Sequence, residues 1–440
     1  MAPHERFAFK SRDELLAKAG ELGLDIPFSD DISVLLEPAT AAGRRLPNRL
    51  AVLPMECADA TPDGAPTDST FRRYGKYAAG GSGIIWFEAT AVRRDGRSNP
   101  RQLMITDETE DAWKKLVKKT REAAAREWGP DHQPLLVLQL THSGRFAKPE
   151  GKPEPLIAHR SPFLDPLHGL PPDHPLLTDE ALGGIQDDFV NAADLAASAG
   201  FDGVDIKACH GYLVSELLAS FTRSGSRFGG TFENRSRFLL ETVRRIRQEV
   251  PRLLLTSRLS ASDMVPFPHG FGMDPNRRKT PNLKETKDLI RRLEREGVRF
   301  LALSMGVPAW QSHFGRPYDK PVPGGKVPDE HPLEGVARHL RFSAELQRSF
   351  PSVAVTGAGY SWLRRYFPNV GAAMVRSGRT AVIGLGRGAL AYPDFPKDLA
   401  EKGRLSPRQV CTTCSLCSDL LRRQKRVGCV LRDPEYRNAR

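Results

Sequence analysis

A (β/α)8 barrel of the TIM type is the fold that this 440-residue sequence predicts, and three observations carry the prediction. Short apolar runs recur eight times between residues 49 and 387. Most are continuous rather than alternating, as expected for parallel strands buried on both faces. Helical or mixed stretches separate them, and no G-x-G-x-x-G turn follows a strand to support a doubly wound sheet.

The strand-like runs are RLAVLPM (49–55), GIIWFEATAV (83–92), PLLVLQLTH (134–142) and GVDIKAC (203–209), followed by LLLTSRLS (253–260), FLALSMG (300–306), SVAVTGA (352–358) and AVIGLGR (381–387). Between them, a segment from Asp111 sets Trp113, Leu116 and Ala123 near helical spacing. A second, from Asn234, puts Phe238, Leu239, Val243 and Ile246 on one face. A third starts at Asn282 and meets a stop signal at Gly297. Two Pro-rich excursions, 145–178 and 306–334, follow the third and sixth strands, where long ordered loops commonly wall a pocket. The expected organisation is an N-terminal cap over 1–48, closing the bottom of the barrel, then the barrel over 49–403 and a Cys-rich basic extension over 404–440.

Apolar residues make up 40% of the chain, which excludes a mainly disordered protein. No apolar run is long enough for a membrane helix, and the polar start carries no signal peptide, so a soluble cytoplasmic protein is expected, without a membrane partner. The net charge is +12, and half of the excess lies in 401–440, where ten Lys or Arg face four acids. That stretch lacks interleaved aromatics and holds four of the six cysteines, which argues against nucleic acid.

In a barrel, side chains just past the C-terminal strand ends gather on one face, where sites form. Those ends read Pro54-Met55-Glu56, Glu88-Ala89, Gln139 with His142, Lys207-x-x-His210-Gly-Tyr212, Arg258, Gly357-x-Gly359 and Gly384-x-Gly386-Arg387. Glycine-bearing turns on the last two strands, beside Arg387, suit a phosphate. Gln139 and Arg258 can face a conjugated ring, or form an internal polar pair. His142 is read as orienting a loop. The inventory is that of a phosphate-anchored ring cofactor and a small-molecule substrate, with proton donors above the ring.

Seven stretches carry a family resemblance: NRLAVLPM (48–55), GGSGIIWFEATAV (80–92), LQLTHSGR (138–145), HGYLVSELL (210–218), GGTFENRSRF (229–238), RLSASD (258–263) and GLGRGALAYPDFP (384–396). In this order they resemble the Old Yellow Enzyme family of FMN-dependent NAD(P)H:flavin oxidoreductases, on the branch with 2,4-dienoyl-CoA reductase and trimethylamine dehydrogenase. The resemblance implies FMN, with NAD(P)H as co-substrate. Pro54, Met55 and Ala89 would border the isoalloxazine, Gln139 its pyrimidine edge, and Arg258 its N1 and O2, while Gly359, Gly386 and Arg387 would hold the phosphate. It further implies Tyr212 as proton donor and His210 as a donor to the substrate carbonyl, in an ene-reductase acting on an electron-poor C=C.

Two departures from the family pattern matter. Members commonly have His-x-x-His or His-x-x-Asn where this chain has Lys207-x-x-His210. Lys207 could stabilise an enolate, suit a substrate carboxylate, or pair with an acid such as Glu88. Glu56 stands where many members place Thr or Cys beside the flavin. Cys57 and Cys209, which flank these positions, read as small packed hydrophobes.

Cys411, Cys414 and Cys417 form a C-x2-C-x2-C run, with eleven residues separating Cys417 from Cys429. The spacing suits a [4Fe–4S] cluster, with zinc as the competing occupant, and resembles the cluster-bearing branch. A cluster would call for an electron-carrier partner. Two alternative functions remain open at this point: a cluster-linked flavin amine dehydrogenase or demethylase, and a flavin-free aldolase-like barrel with Lys207 as the Schiff-base amine.

Overall fold

The computed structural model describes residues 3–439. Eight parallel strands close into a barrel: β1 (Leu50–Val52), β2 (Ile84–Ala91), β3 (Leu135–Thr141), β4 (Gly203–Ile206), β5 (Leu254–Ser260), β6 (Phe300–Ser304), β7 (Ala354–Gly357) and β8 (Val382–Leu385). They follow in chain order around the ring, and β8 pairs with β1 through Ile383 and Leu50. Each strand falls within one of the eight apolar runs. A TIM barrel is therefore both what the sequence predicts and what the chain forms.

A helix follows every strand: α1 (Asp68–Ala79), α2 (Glu110–Trp128), α3 (Asp179–Ser198), α4 (Phe232–Glu249), α5 (Lys284–Arg295), α6 (Pro332–Ser349), α7 (Phe367–Arg376) and α8 (Phe395–Lys402). Local chemistry sets their starts. The Thr178 and Thr231 hydroxyls each accept a first-turn N–H, at 3.1 and 3.3 Å, so these threonines cap α3 and α4. The expected face of α4 (Phe238, Leu239, Val243, Ile246) is fully buried. On α2 the inner face is shifted by one residue: Trp113, Leu116 and Ala124 are buried, whereas Ala123 is only half-buried.

Two features of the framework shape the site. The register between β2 and β3 shifts between Phe87 and Thr90, a bulge at Glu88-Ala89. Bulges re-aim side chains near strand ends, and here Glu88 and Ala89 leave the regular alternation. At the other end of the barrel, a two-stranded hairpin (Ala39–Ala41 with Arg44–Leu46) packs Ala39, Ala41 and Leu46 onto Trp86, Leu135, Leu254 and Phe300. The preceding segment runs elsewhere. Phe7 lies against Trp362 with ring centroids 5.3 Å apart, and its N–H donates to Asp319 at 3.1 Å. Asp319 and Trp362 belong to the loops after β6 and β7, so residues near the start of the chain reach the strand-end face as well.

The Cys-rich extension also lies on that face. Leu420, Val427, Val430 and Tyr436 pack with Leu390 and Cys57, and the Val427 N–H donates to the Cys57 carbonyl at 2.8 Å. Arg72 of α1 pairs with Asp433 and Glu435 at 2.7 and 2.8 Å. No helix among the described residues is long and apolar enough to cross a membrane.

Candidate active site

A cleft of about 640 Å3 opens at the C-terminal ends of the strands. It gathers residues from seven strand ends, and their local chemistry explains why they point inward. Pro54, Met55 and Glu56 leave β1, and the bulge presents Ala89 from β2. Gln139 of β3 and Arg258 of β5 meet on one buried carboxylate. Gln139 Nε2 donates to Asp205 Oδ2 at 2.8 Å, and the Arg258 backbone N–H donates to Asp205 Oδ1 at 2.6 Å. The two are thus braced through Asp205, rather than paired with each other. Burial pushes the Asp205 carboxyl up to about 6, with Gln139 and Arg258 pulling the other way.

The Arg258 side chain donates to the Pro54 carbonyl at 3.2 Å, and its buried Nε has no partner. Arg387, 7% exposed, donates through Nη2 to the Pro317 carbonyl at 2.8 Å, while Nη1 is buried and unpartnered. Gly359 and Gly386 line the cleft beside it. Gly359 sits at φ +90°, and a Cβ there would lie 2.8 Å from the His339 ring, so both backbone and space demand glycine. Orphaned guanidinium donors beside backbone turns form a cradle for a phosphate and a flat, electron-rich ring. The residues present fit FMN.

After β4, Gly211 and His210 take left-handed conformations (φ +74° and +68°), turning the chain so that Lys207, His210 and Tyr212 all line the cleft. His210 Nε2 lies 2.7 Å from the Ser304 hydroxyl. Burial, followed by the charges of Arg258 and Lys207, holds this imidazole well below its ordinary pKa, so it is neutral and offers a single N–H. The Tyr212 hydroxyl donates to Glu56 Oε2 at 3.3 Å. Burial and the Glu56 charge push the phenol well above 10. Ser98 and Asn99 donate to the other Glu56 oxygen. Lys207 Nζ stands 3.2 Å from the centre of the Tyr212 ring. Burial lowers this amine to about 8.

The pairing of Lys207 with Glu88 does not form. Glu88 points away from the cleft, where Arg73 pairs with it and the Cys57 N–H donates to it at 2.7 Å. His142 is buried, accepts the Gly144 N–H at 3.1 Å and lies 3.5 Å from Asp95, a position that orients the loop start. Cys57 and Cys209 are fully buried. Every candidate substrate or flavin residue, from Pro54 to Arg387, lines the one cleft.

Residues outside the sequence-derived set line it too. Ser98 and Asn99 follow β2, and Arg316 comes from the loop after β6. Arg316 donates to Ser418 of the extension. Asp205 and Ser304 act from behind. Of these, Asp205 alone left a trace in the sequence, as a carboxylate inside an apolar strand run.

Cys411, Cys414, Cys417 and Cys429 line a separate small pocket, which shares Arg387 with the cleft. Thr413 and Ser415, between the first cysteines, adopt left-handed backbone (φ +50° and +61°), and the Thr413 N–H donates to Cys411 Sγ at 3.3 Å. No group of three or more His, Cys, Asp or Glu among the described residues is arranged to hold a single metal ion.

Residues 34–295 match the model of the NADH:flavin oxidoreductase / NADH oxidase family. The chain belongs to this family. Among curated relatives, the metal reductase of Desulforamulus reducens is 27% identical over 411 residues, covering 93% of this chain and 55% of that protein. The NADPH dehydrogenase of Listeria monocytogenes is 33% identical over 229 residues, 51% of this chain and 62% of its own length. This NADH:flavin oxidoreductase chain thus spans a little over half the length of such relatives. Among solved structures, 2-naphthoyl-CoA reductase in complex with 2-naphthoyl-CoA aligns with a TM-score of 0.71 at 20% identity, over 92% of this chain and 59% of that one. The Old Yellow Enzyme homologue of Zymomonas mobilis aligns at 0.61 and 23%, over 84% and 94%. Histamine dehydrogenase from Rhizobium sp. 4-9 aligns at 0.68 and 23%, over 91% and 52%. At these identities the structural likeness speaks for the barrel fold.

Proposed function

We propose that the chain is an FMN-dependent NAD(P)H:flavin oxidoreductase that reduces an electron-poor C=C bond. The observation that carries this reading is that one cleft gathers the orphaned donors of Arg258 and Arg387, with Gln139, together with Tyr212, His210 and Lys207. Bound FMN supplies reversible two-electron transfer between NAD(P)H and the substrate. Arg387, Gly359 and Gly386 hold its phosphate, while Pro54, Met55, Glu56 and Ala89 border its ring, with Gln139 on the pyrimidine edge. Arg258 places a cation where negative charge grows.

Tyr212 gives the proton to the α-carbon. Its raised pKa keeps the hydroxyl protonated until a carbanion forms. His210, positioned by Ser304, donates to the substrate carbonyl together with Lys207. An amine dehydrogenase is the competing reading within the fold, and histamine dehydrogenase is among the structural neighbours. The lining weighs against it. It carries six Lys or Arg side chains against one carboxylate, Glu56, which disfavours a cationic amine. Family membership leaves the flavin-free aldolase without support.

The four cysteines are proposed to hold a [4Fe–4S] cluster that exchanges electrons with a carrier protein. The C-x2-C-x2-C run and Cys429, which line one small pocket, support this reading, and zinc is the competing occupant. The test is anaerobic purification, followed by a visible spectrum with iron, zinc and flavin analysis. Flavin bands with about four irons per chain support both parts. A chain that takes up no FMN even on reconstitution overturns the reading.

A further inference from the structure

The Tyr212 hydroxyl carries a single hydrogen, which it directs to Glu56 Oε2 at 3.3 Å. That hydrogen cannot face the α-carbon of a substrate at the same time. A Tyr212 that simply gave its proton away would also leave a phenolate beside a carboxylate in a buried place, where like charges repel strongly. Burial and the Glu56 charge already hold the phenol well above 10. Both difficulties vanish when Glu56 enters the step as the neutral acid. Its own O–H then faces the Tyr212 oxygen, and the Tyr212 hydrogen is free to turn to the substrate.

The surroundings of Glu56 hold its carboxyl in place for such a transfer. Oε1 accepts from the Ser98 hydroxyl and from Asn99 Nδ2, the latter at 2.9 Å. The Asn99 amide is fixed in turn, because its oxygen takes the Arg101 N–H at 2.9 Å. The Ser98 N–H donates to Gln102 Oε1 at 2.5 Å, and Gln102 Nε2 donates to the Ala89 carbonyl at 2.8 Å. The 98–102 loop is thereby tied to the bulge of β2. Ser98 is half-buried, so a hydroxyl with access to solvent touches the buried end of the chain of groups. From β4, Lys207 adds a cation whose amine the Glu56 charge raises against the larger effect of burial.

We infer that Glu56 is a proton relay acting through Tyr212, passing its carboxyl proton to the Tyr212 oxygen as Tyr212 protonates the substrate. The inference rests on the alkene-reduction reading and names the source of its proton. The β-carbon receives the hydride equivalent that NAD(P)H supplied. The Tyr212 O–H bond breaks as the α-carbon gains its hydrogen, and the Glu56 O–H bond breaks as the Tyr212 O–H is restored. Glu56 ends as a carboxylate held by Ser98 and Asn99, and solvent returns one proton to it. No charge is left on Tyr212. One NAD(P)H and one proton are consumed, and the saturated product and NAD(P)+ leave.

The test follows reoxidation of the FMN-loaded, dithionite-reduced protein by 2-cyclohexenone in stopped flow, in mixtures of light and heavy water. Two protons moving together make the rate a curved function of the deuterium fraction, whereas one proton makes it straight. The native protein should give the curve and Glu56→Gln, which has no carboxyl proton to pass, a straight line. The reoxidation rate of Glu56→Gln should also fall about 100-fold relative to its rate of flavin reduction by NAD(P)H. Combined with Tyr212→Phe, Glu56→Gln should cost less than about threefold more, as for residues that act as one unit. A straight or flat native plot overturns the inference, as does a folded, FMN-loaded Glu56→Gln that keeps the native rate or the native curve. Should the variant fail to fold or to hold FMN, the native plot decides. A native protein whose reduced flavin no electron-poor alkene reoxidises sinks the alkene-reduction reading and the relay with it, whereas native turnover with a straight plot sinks the relay alone.

Discussion

Replacing Arg387 with alanine probes the proposed phosphate cradle most directly. The guanidinium spends Nη2 on the Pro317 carbonyl and keeps Nη1 buried without a partner. In an empty cleft, one hydrogen bond is therefore the main loss. With FMN bound, the variant also forfeits charge-assisted donation to a phosphate, worth about 1.5–3 kcal/mol for a hydrogen bond to a charged group. At 1.4 kcal/mol per factor of ten, FMN affinity should fall roughly 10- to 100-fold. The assay is titration of flavin-stripped protein with FMN, followed by quenching of flavin fluorescence, with riboflavin alongside. Riboflavin lacks the phosphate, so the native preference for FMN should shrink toward parity in Arg387→Ala. An FMN affinity within threefold of native, or an equal loss for both flavins, would refute the phosphate assignment.

Four further outcomes are expected. Tyr212→Phe should slow alkene reduction by about 100-fold or more, in the range for a lost general acid; stopped-flow should show flavin reduction by NAD(P)H nearly intact, and equal loss in both half-reactions discards the acid role. Ala89→Leu, at the bulge, should block the ring wall and cut FMN uptake while changing the melting temperature little, because the side chain would project into the cleft. Cys414→Ser should abolish iron content in anaerobically purified protein, and full iron retention would remove Cys414 from the ligand set. Burial lowers His339 to about 4, so the unfolded state, near the ordinary 6.5, binds the extra proton between those values. His339 therefore makes stability rise with pH from about 4 to 6.5, and His339→Gln should flatten that rise in urea titrations at pH 4.5 and 7.

The barrel was legible because parallel strands buried on both faces leave continuous apolar runs, such as LLVLQLT in β3, that no other element leaves so regularly. The catalytic and flavin candidates were legible for a related reason: in a closed barrel, position after a strand is position on one face. What stayed hidden depends on contacts between distant segments. Arg316 sits in a Pro-rich loop without periodicity, and only the folded chain brings it to Ser418 and the cleft. Ser304 ends an apolar strand like many serines, and its meeting with His210, 94 residues earlier, is a property of the ring. The bulge that delivers Ala89 changes pairing rather than composition, so β2 reads as an uninterrupted strand. The slip from Ala123 to Ala124 on α2 is the small drift that a run of three alanines permits.

The loop after β6 is held from both ends of the chain. The Phe7 N–H donates to Asp319 at 3.1 Å, and the Asp319 N–H donates to the Thr413 hydroxyl at 3.1 Å. Ser415 adds a hydrogen bond to the Lys320 carbonyl at 2.6 Å. Arg316 stands only a few residues upstream of these anchors. Segments separated by some four hundred residues in sequence therefore act as two hands on one latch. Deleting residues 3–9, well away from any strand, should speed amide exchange in 316–320 and loosen the side of the cleft that Arg316 lines. For anyone engineering this enzyme, Phe7 and the 413–415 segment count as braces of the loop that carries Arg316.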